Sequence, residues 1–357
     1  MSRYYSYPGG KNKESINALV NKNRWVAECE IEYQSSVKIT KIEIRKDLLF
    51  PFYTSVISQD RANRECAPKN NPVQQKSKKE ECFFEPGNIH TTPAPRYYYP
   101  ELAVDDFIPV SVPNLFPYGL EHKVNCFTSH QKYDPASLNH QDFYNYLLMS
   151  KENAKRIKNN GHARMFSMIN FGAIAGGTQQ HPHSQDGTIF PQILSTADRE
   201  IEYCENLSAI KSDPFDYYMN LARDSPLFGM ENQGAFVMAP FAPIFPDQLD
   251  IFLKPKTRNF LELEAQTMAE VGFALATSIN FLSTKRGVTD FNIVAHQSAL
   301  YSSSPAPYRL HFHIYPRNKN NPGGIETGMG YNIIDIYPES TGKALQEFVS
   351  QRTSYKF

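Results

Sequence analysis

The sequence predicts an α+β protein built twice over, as two antiparallel-sheet half-units each with a packed helix. Three observations predict it. The 357-residue chain carries two long amphipathic helical patterns. Each is followed roughly 25 residues later by a His-x-His segment, an internal duplication signal. Short strand-like stretches cluster around both, so that each unit places its histidines on a strand.

Taken in order, residues from about Tyr5 to Lys22 are polar and rich in Asn, Lys and Gly, and read as a lead-in over 1–24. Regular structure is expected from near Trp25. Between Val37 and Ile57, β-branched and aromatic residues predict paired strands with a turn at Phe50-Pro51, followed by Arg61 and Arg64. The stretch Ala67 to Glu81, with Pro68, Pro72, Lys76, Lys78 and Lys79, has the composition of a solvated loop. Helix one is predicted over Asn139 to Ile157, where Phe143, Leu147, Ala154 and Ile157 recur at helical spacing, Asn139 can cap and Gly161 can stop it. Helix two runs from about Asn259 to Lys285, with Leu263, Val271, Leu275, Ile279 and Leu282 on one face and an end before Gly287. A boundary near Leu194 to Thr196 divides the halves into 25–195 and 196–357.

Composition narrows the partners. Lysine plus arginine (37) balance aspartate plus glutamate (37), so no overall positive field draws the protein onto nucleic acid or an anionic membrane. A small-molecule substrate fits better. The five cysteines are scattered and form no C-x-x-C pair, which favours a reducing cytoplasm over a disulfide framework. No run approaches membrane-spanning length, and the N-terminus lacks an apolar stretch after its basic residue.

Chemistry concentrates in the histidines. Strand alternation puts His181, His183 and Gln185 on one face, and His311, His313 and Tyr315 on another, with Leu310, Phe312 and Ile314 turned into the core. For His90, His122, His140 and His162 an ordinary hydrogen-bonded place is the expectation. For His130, His181, His183, His296, His311 and His313, clustering suits metal binding or phosphoryl chemistry. Upstream of His181, Gly176 and Gly177 let backbone N–H groups approach a phosphate, and Thr178 adds a hydroxyl donor.

Asn170-Phe-Gly with Gly176-Gly-Thr-Gln-Gln-His-Pro-His-Ser-Gln185 resembles the active-site signature of the galactose-1-phosphate uridylyltransferase-like family in the histidine-triad (HIT-like) superfamily. Glu43-Ile-Arg-Lys-Asp47 through Arg64, Cys82-Phe-Phe-Glu-Pro-Gly-Asn88, Val112-Pro-Asn-Leu-Phe-Pro117, Asn292-Ile-Val-Ala-His296, Leu310-His-Phe-His-Ile-Tyr-Pro-Arg317 and Gly323-Gly-Ile-Glu326 resemble further family blocks, over roughly residues 40 to 340. The resemblance implies a duplicated HIT-like fold and a nucleotidyltransferase. His183 would attack the α-phosphorus of a nucleoside diphosphate sugar, and a second phosphate compound would then collect the nucleotidyl group from the histidine in a ping-pong cycle. A backbone carbonyl on the other ring nitrogen would fix the tautomer. Arg61, Arg64, Asn114, Asn170, Gly176, Gly177, Thr178 and Gln185 would bind nucleotide and phosphate, with Thr178 and Gln185 joining His183 in catalysis, and Glu326 would bind sugar. Histidine-triad hydrolases carry a histidine where Gln185 stands, and a glutamine that cannot move protons favours transfer over hydrolysis.

The same resemblance implies two metal sites. The first would use Cys82, Glu85, His130 and His181 for zinc, with Glu85 in place of the family's second cysteine, and the second would use Glu200, His296, His311 and His313 for zinc or iron. A homodimer is expected from the resemblance alone. Three functions stay open: transfer to a sugar phosphate, a phosphorylase in which inorganic phosphate or another anion is the acceptor, and a catalytically silent nucleotide-binding protein.

Overall fold

The computed structural model describes residues 20–33, 36–48, 54–57, 82–92, 94–104, 106–114, 121–130, 132–177, 179–189, 195–208, 213–301, 307–317 and 323–352. Arg61, Arg64, Thr178, the turn at Phe50-Pro51, the loop Ala67 to Glu81 and most of the lead-in lie outside the described residues.

Strands β1 (Arg24–Tyr33), β2 (Ser36–Lys46) and β3 (Thr54–Ile57) pair antiparallel, and β14 (Asn332–Ile334) joins β3 in parallel to complete a four-stranded sheet. The small sheet is therefore shared between the two ends of the chain. Arg45 fastens it: buried on β2, it pairs with Glu43 at 2.5 Å and with Glu339 of the C-terminal helix at 2.8 Å. That helix is α6 (Pro338–Arg352).

The main sheet has ten strands in the order β4-β5-β6-β8-β7-β12-β13-β11-β10-β9. In chain order these are β4 (Tyr97–Tyr98), β5 (Val110–Pro113), β6 (Lys123–Cys126), β7 (Met165–Phe171), β8 (Ser184–Thr188), β9 (Phe228–Glu231), β10 (Ala235–Met238), β11 (Leu249–Leu253), β12 (Phe291–His296) and β13 (His311–Pro316). The order β5-β6-β8-β7 is repeated from the opposite edge as β10-β11-β13-β12, so the predicted duplication is visible in the topology. The half-units are not separate sheets, however. They fuse through the antiparallel pair β7·β12, where Phe171 stands opposite Phe291 and their rings stack at 4.9 Å, a contact worth about 0.5–1.5 kcal/mol beyond its buried area.

Each half inserts one long helix after its second strand of the repeat. The first, α1 (His140–Asn159), begins where predicted: the Asn139 side chain accepts from Gln141 N and Asp142 N, and Asp142 reciprocates to Asn139 N, a capping box. Between the halves lie α2 (Thr196–Ser208) and α3 (Pro214–Arg223), and the second long helix is α4 (Ala265–Arg286). It starts later than the pattern suggests, because Asn259 caps a short 3-10 turn, Phe260–Glu262, instead. It ends at Gly287, whose φ of 66° suits a residue without Cβ. Side chains from α1 and α4 bury one face of the sheet, meeting Ile169, Ile293, Phe312 and Ile314 in one core. The opposite face carries the histidines.

One expectation needs correcting. His311 and His313 lie within β13, but His181 and His183 stand in the bend just before β8. Pro182 has no N–H to give a ladder, and the pairing of β8 with β6 and β7 begins only at Ser184.

Candidate active site and metal centres

The outer face of the four central strands aligns the site in rows. Asn170 pairs with Asn292 and Asn292 with Tyr315, and continuing the β7–β8 register by one step puts His183 opposite Asn170. Alternation then sets Gln185, Met168, Val294 and His313 in the next outward row.

His183 is buried, and its Nδ1 lies 2.8 Å from the carbonyl oxygen of His181. Nδ1–H donates there, which leaves the lone pair on Nε2. Burial pulls the imidazole below its usual pKa, outweighing the hydrogen bond to the His181 carbonyl, which favours the neutral ring. Phe84 flanks both imidazoles, with centroids 5.8 Å from His181 and 6.0 Å from His183.

Gln185 is held by two neighbours. Its Oε1 lies 3.0 Å from His122 Nε2 and 3.3 Å from Asn114 Nδ2, which orients the amide so that its nitrogen is the donor. His122 is buried and hydrogen-bonded, as the sequence suggested, but its partner is a motif residue, and burial lowers its pKa against the Gln185 hydrogen bond. No spacing signal could reveal it, since it contacts Gln185 from 63 residues away.

The glycine loop is clasped from the second half. Gly172 has a φ of 86°, Gly177 N donates to Gly172 O at 2.8 Å, and a Cβ on Gly177 would stand 2.7 Å from the Asn170 carbonyl oxygen. Asp290 Oδ1 accepts from Ile174 N at 2.9 Å, and Asn292 Nδ2 donates to Asn170 Oδ1 at 2.7 Å and to Ala175 O at 2.8 Å. Gly176 and Gly177 therefore sit in a loop whose shape is set across β7·β12. Glu326 is placed otherwise: on the short helix α5 (Gly324–Gly328), its Oε2 accepts from Gly323 N at 2.8 Å.

Two groups could each hold a metal ion. Cys82, His130 and His181 gather their ligand atoms within 4.8 Å of one another. His181 Nε2 donates to Thr128 O at 2.7 Å, leaving Nδ1 aimed at Cys82 Sγ, 3.5 Å away. Burial raises the Cys82 thiol, against backbone hydrogen bonds, a cost that a bound cation removes. Glu85 falls outside this tight group but reaches it, with Oε1 3.8 Å from His181 Nδ1. The donor set suits zinc.

The second group is Glu200 of α2 with His296, His311 and His313. Glu200 lies 2.9 Å from His296 Nδ1 and 3.4 Å from His311 Nε2, and accepts from Tyr308 Oη at 2.7 Å. Burial works against its charge, yet His296 and His311 hold the carboxyl well below its ordinary pKa. His311 Nδ1 donates to Arg309 O and His313 Nδ1 to Asp250 Oδ1, each at 2.8 Å, so both turn Nε2 toward the cluster. This is the outer support that metal-ligating histidines use, and the set fits a divalent cation.

No family model matches the chain. A curated relative, ADP-glucose phosphorylase of Arabidopsis thaliana, is 26% identical over 183 residues, which is 50% of each chain. The chain thus aligns with half of that relative's length. Among solved structures, an ADP-glucose phosphorylase from Arabidopsis thaliana with bound ADP-glucose superimposes with a TM-score of 0.71, at 20% identity, covering 86% of this chain and 99% of that one. The chain shares its fold with this structure and with a uridylyltransferase. A uridylyltransferase structure has a TM-score of 0.64, at 20% identity, over 86% of this chain and 98% of its own. With this uridylyltransferase-like fold, the two His-x-His segments take equivalent places in the repeated halves. No described helix is long and apolar enough to cross a membrane.

Proposed function

We propose that the protein is a nucleotidyltransferase acting on nucleoside diphosphate sugars through a nucleotidyl-His183 intermediate. The observation that carries this reading is the His183 imidazole, held neutral in a buried site with Nδ1 tied to the carbonyl of its own motif. In the first step Nε2 bonds to the α-phosphorus as the bond to the bridging oxygen breaks, releasing sugar 1-phosphate. In the second, an oxygen of a phosphate acceptor bonds to phosphorus as the P–N bond breaks. The Gly176-Gly177 backbone and the Gln185 amide nitrogen meet the equatorial oxygens, as would Thr178, Arg61 and Arg64. Asn114 and Asn170 would bind the nucleotide and Glu326 the sugar.

Zinc at Cys82, His130 and His181, with Glu85 in reach, would fix the ring whose carbonyl orients His183. Zinc or iron at the second group would rigidify the outer face. The division into 25–195 and 196–357, a homodimer and a cytoplasmic setting belong to the same proposal.

The acceptor is either a sugar 1-phosphate or inorganic phosphate. Likeness to ADP-glucose phosphorylase in both sequence and fold supports the phosphorylase reading as a full alternative. Incubation with a panel of nucleoside diphosphate sugars followed by intact-mass measurement tests the proposal. A mass increase equal to one nucleotidyl group is expected, discharged by the true acceptor. No adduct with any donor would leave the silent nucleotide-binding reading.

A further inference from the structure

Arg317 follows β13 in the outward-facing sequence His311, His313, Tyr315, Arg317. Its backbone N–H donates to Asp290 O at 2.9 Å, so it stands beside the residue that clasps the glycine loop. Its Nη1 donates to Asn292 Oδ1 at 3.1 Å, and the amide of that same Asn292 holds Asn170 and Ala175. The guanidinium lies 4.8 Å from the Phe245 ring centroid. It forms no ion pair among the described residues, and its Nε is buried without a hydrogen-bond partner. Burial alone lowers its pKa. Other buried arginines here are matched with carboxylates: Arg45 with Glu43 and Glu339, Arg309 with Asp213 and Asp216. Among the described residues this half-buried cation has no anion beside it, and it stands one link, Asn292, from the glycine loop.

We propose that Arg317 binds a phosphoryl oxygen of the ligand, giving the first half's nucleotide site a cation from the second half. His183 and Asn292 are separated by two strand spacings, about 10 Å. That span assigns Arg317 to the phosphate farther from His183, the one that leaves with the sugar or arrives as acceptor, rather than to the phosphorus under attack. Arginine suits the task, because its planar donors meet phosphate oxygens in pairs.

The inference rests on the proposed nucleotidyl transfer for the identity of the ligand, and it is tested without chemistry. Calorimetric titrations of the full chain with inorganic diphosphate are compared among wild type, Arg317→Gln and Arg317→Lys. UDP-glucose, ADP-glucose and the matching monophosphates are titrated in the His183→Ala background. The expected result is that Arg317→Gln weakens diphosphate and nucleotide-sugar binding at least 10-fold, monophosphate binding less than 3-fold, and that lysine restores part of the loss. Equal affinities in Arg317→Gln and wild type overturn the proposal, as does failure of the wild type to bind inorganic diphosphate and both nucleotide sugars. An equal loss in both variants with a lowered Tm assigns Arg317 to packing and also overturns it. Failure of nucleotidyl transfer itself is read separately, as absence of the His183 adduct in the wild type.

Discussion

The two His-x-His segments occupy equivalent hairpins of one duplicated sheet, yet their surroundings prepare them for different chemistry. In the first half, His183 leans on a backbone carbonyl and keeps a neutral ring against Phe84. Continuing the β6–β8 register by one step brings Cys126, buried among apolar side chains, opposite it. In the second half, Asp250 of β11 stands opposite His313 and accepts from its Nδ1, and Glu200 enters from α2 to gather three imidazoles. A carbonyl holds a tautomer without adding charge, whereas the carboxylates of Asp250 and Glu200 suit a cation. Neighbours, more than the motif, set the two histidine pairs apart.

The largest expected effect separates the halves by activity. His183→Ala should abolish the covalent adduct and lower turnover by about 10⁴-fold or more, while His313→Ala should leave the adduct able to form. Quenched-flow assay of both variants breaks the comparison if their losses are alike. Next, metal analysis of protein purified without chelator should find occupancy at the second group that is lost in His311→Ala. Glu200→Ala should cost about 3–5 kcal/mol of stability, since it removes the buried carboxylate that faces His296 and His311. Retention of wild-type Tm and metal content in both variants would remove the structural role given to that half.

Smaller effects sharpen the first half. Gln185→His introduces a group that can move protons, and breakdown of the adduct by water should rise about 100-fold. Unchanged hydrolysis would detach Gln185 from the choice between transfer and hydrolysis. His122→Ala releases the Gln185 oxygen, and kcat/KM should fall about 10-fold, the equivalent of one lost hydrogen bond of about 1.4 kcal/mol. Partial rescue by His122→Asn is expected, because the lost group is a donor. A change in Tm alone would make His122 a packing residue.

Much of this was legible in the sequence because it is local. The Asn139 cap, the Gly287 stop and the His-Pro-His-Ser-Gln run depend on residues a few places apart, and the duplication shows in their spacing. What was not legible depends on pairing across long separations. The fusion of the halves through β7·β12, the return of β14 to β3, the grip of Asp290 and Asn292 on the glycine loop, and the Asp250 support of His313 join segments whose encounter no local pattern encodes. His122 was passed over for the same reason. Pro182 shifted the first histidine pair off its strand, a consequence of a missing N–H that alternation alone does not register.

The division of labour between the halves is tested most directly by peptide mapping of the protein after reaction with a nucleoside diphosphate sugar. The nucleotidyl group should be found on the peptide containing His181 and His183, and should vanish in His183→Ala with the second metal still bound. A nucleotidyl group on the peptide containing His311 and His313, or its persistence in His183→Ala, would contradict the assignment.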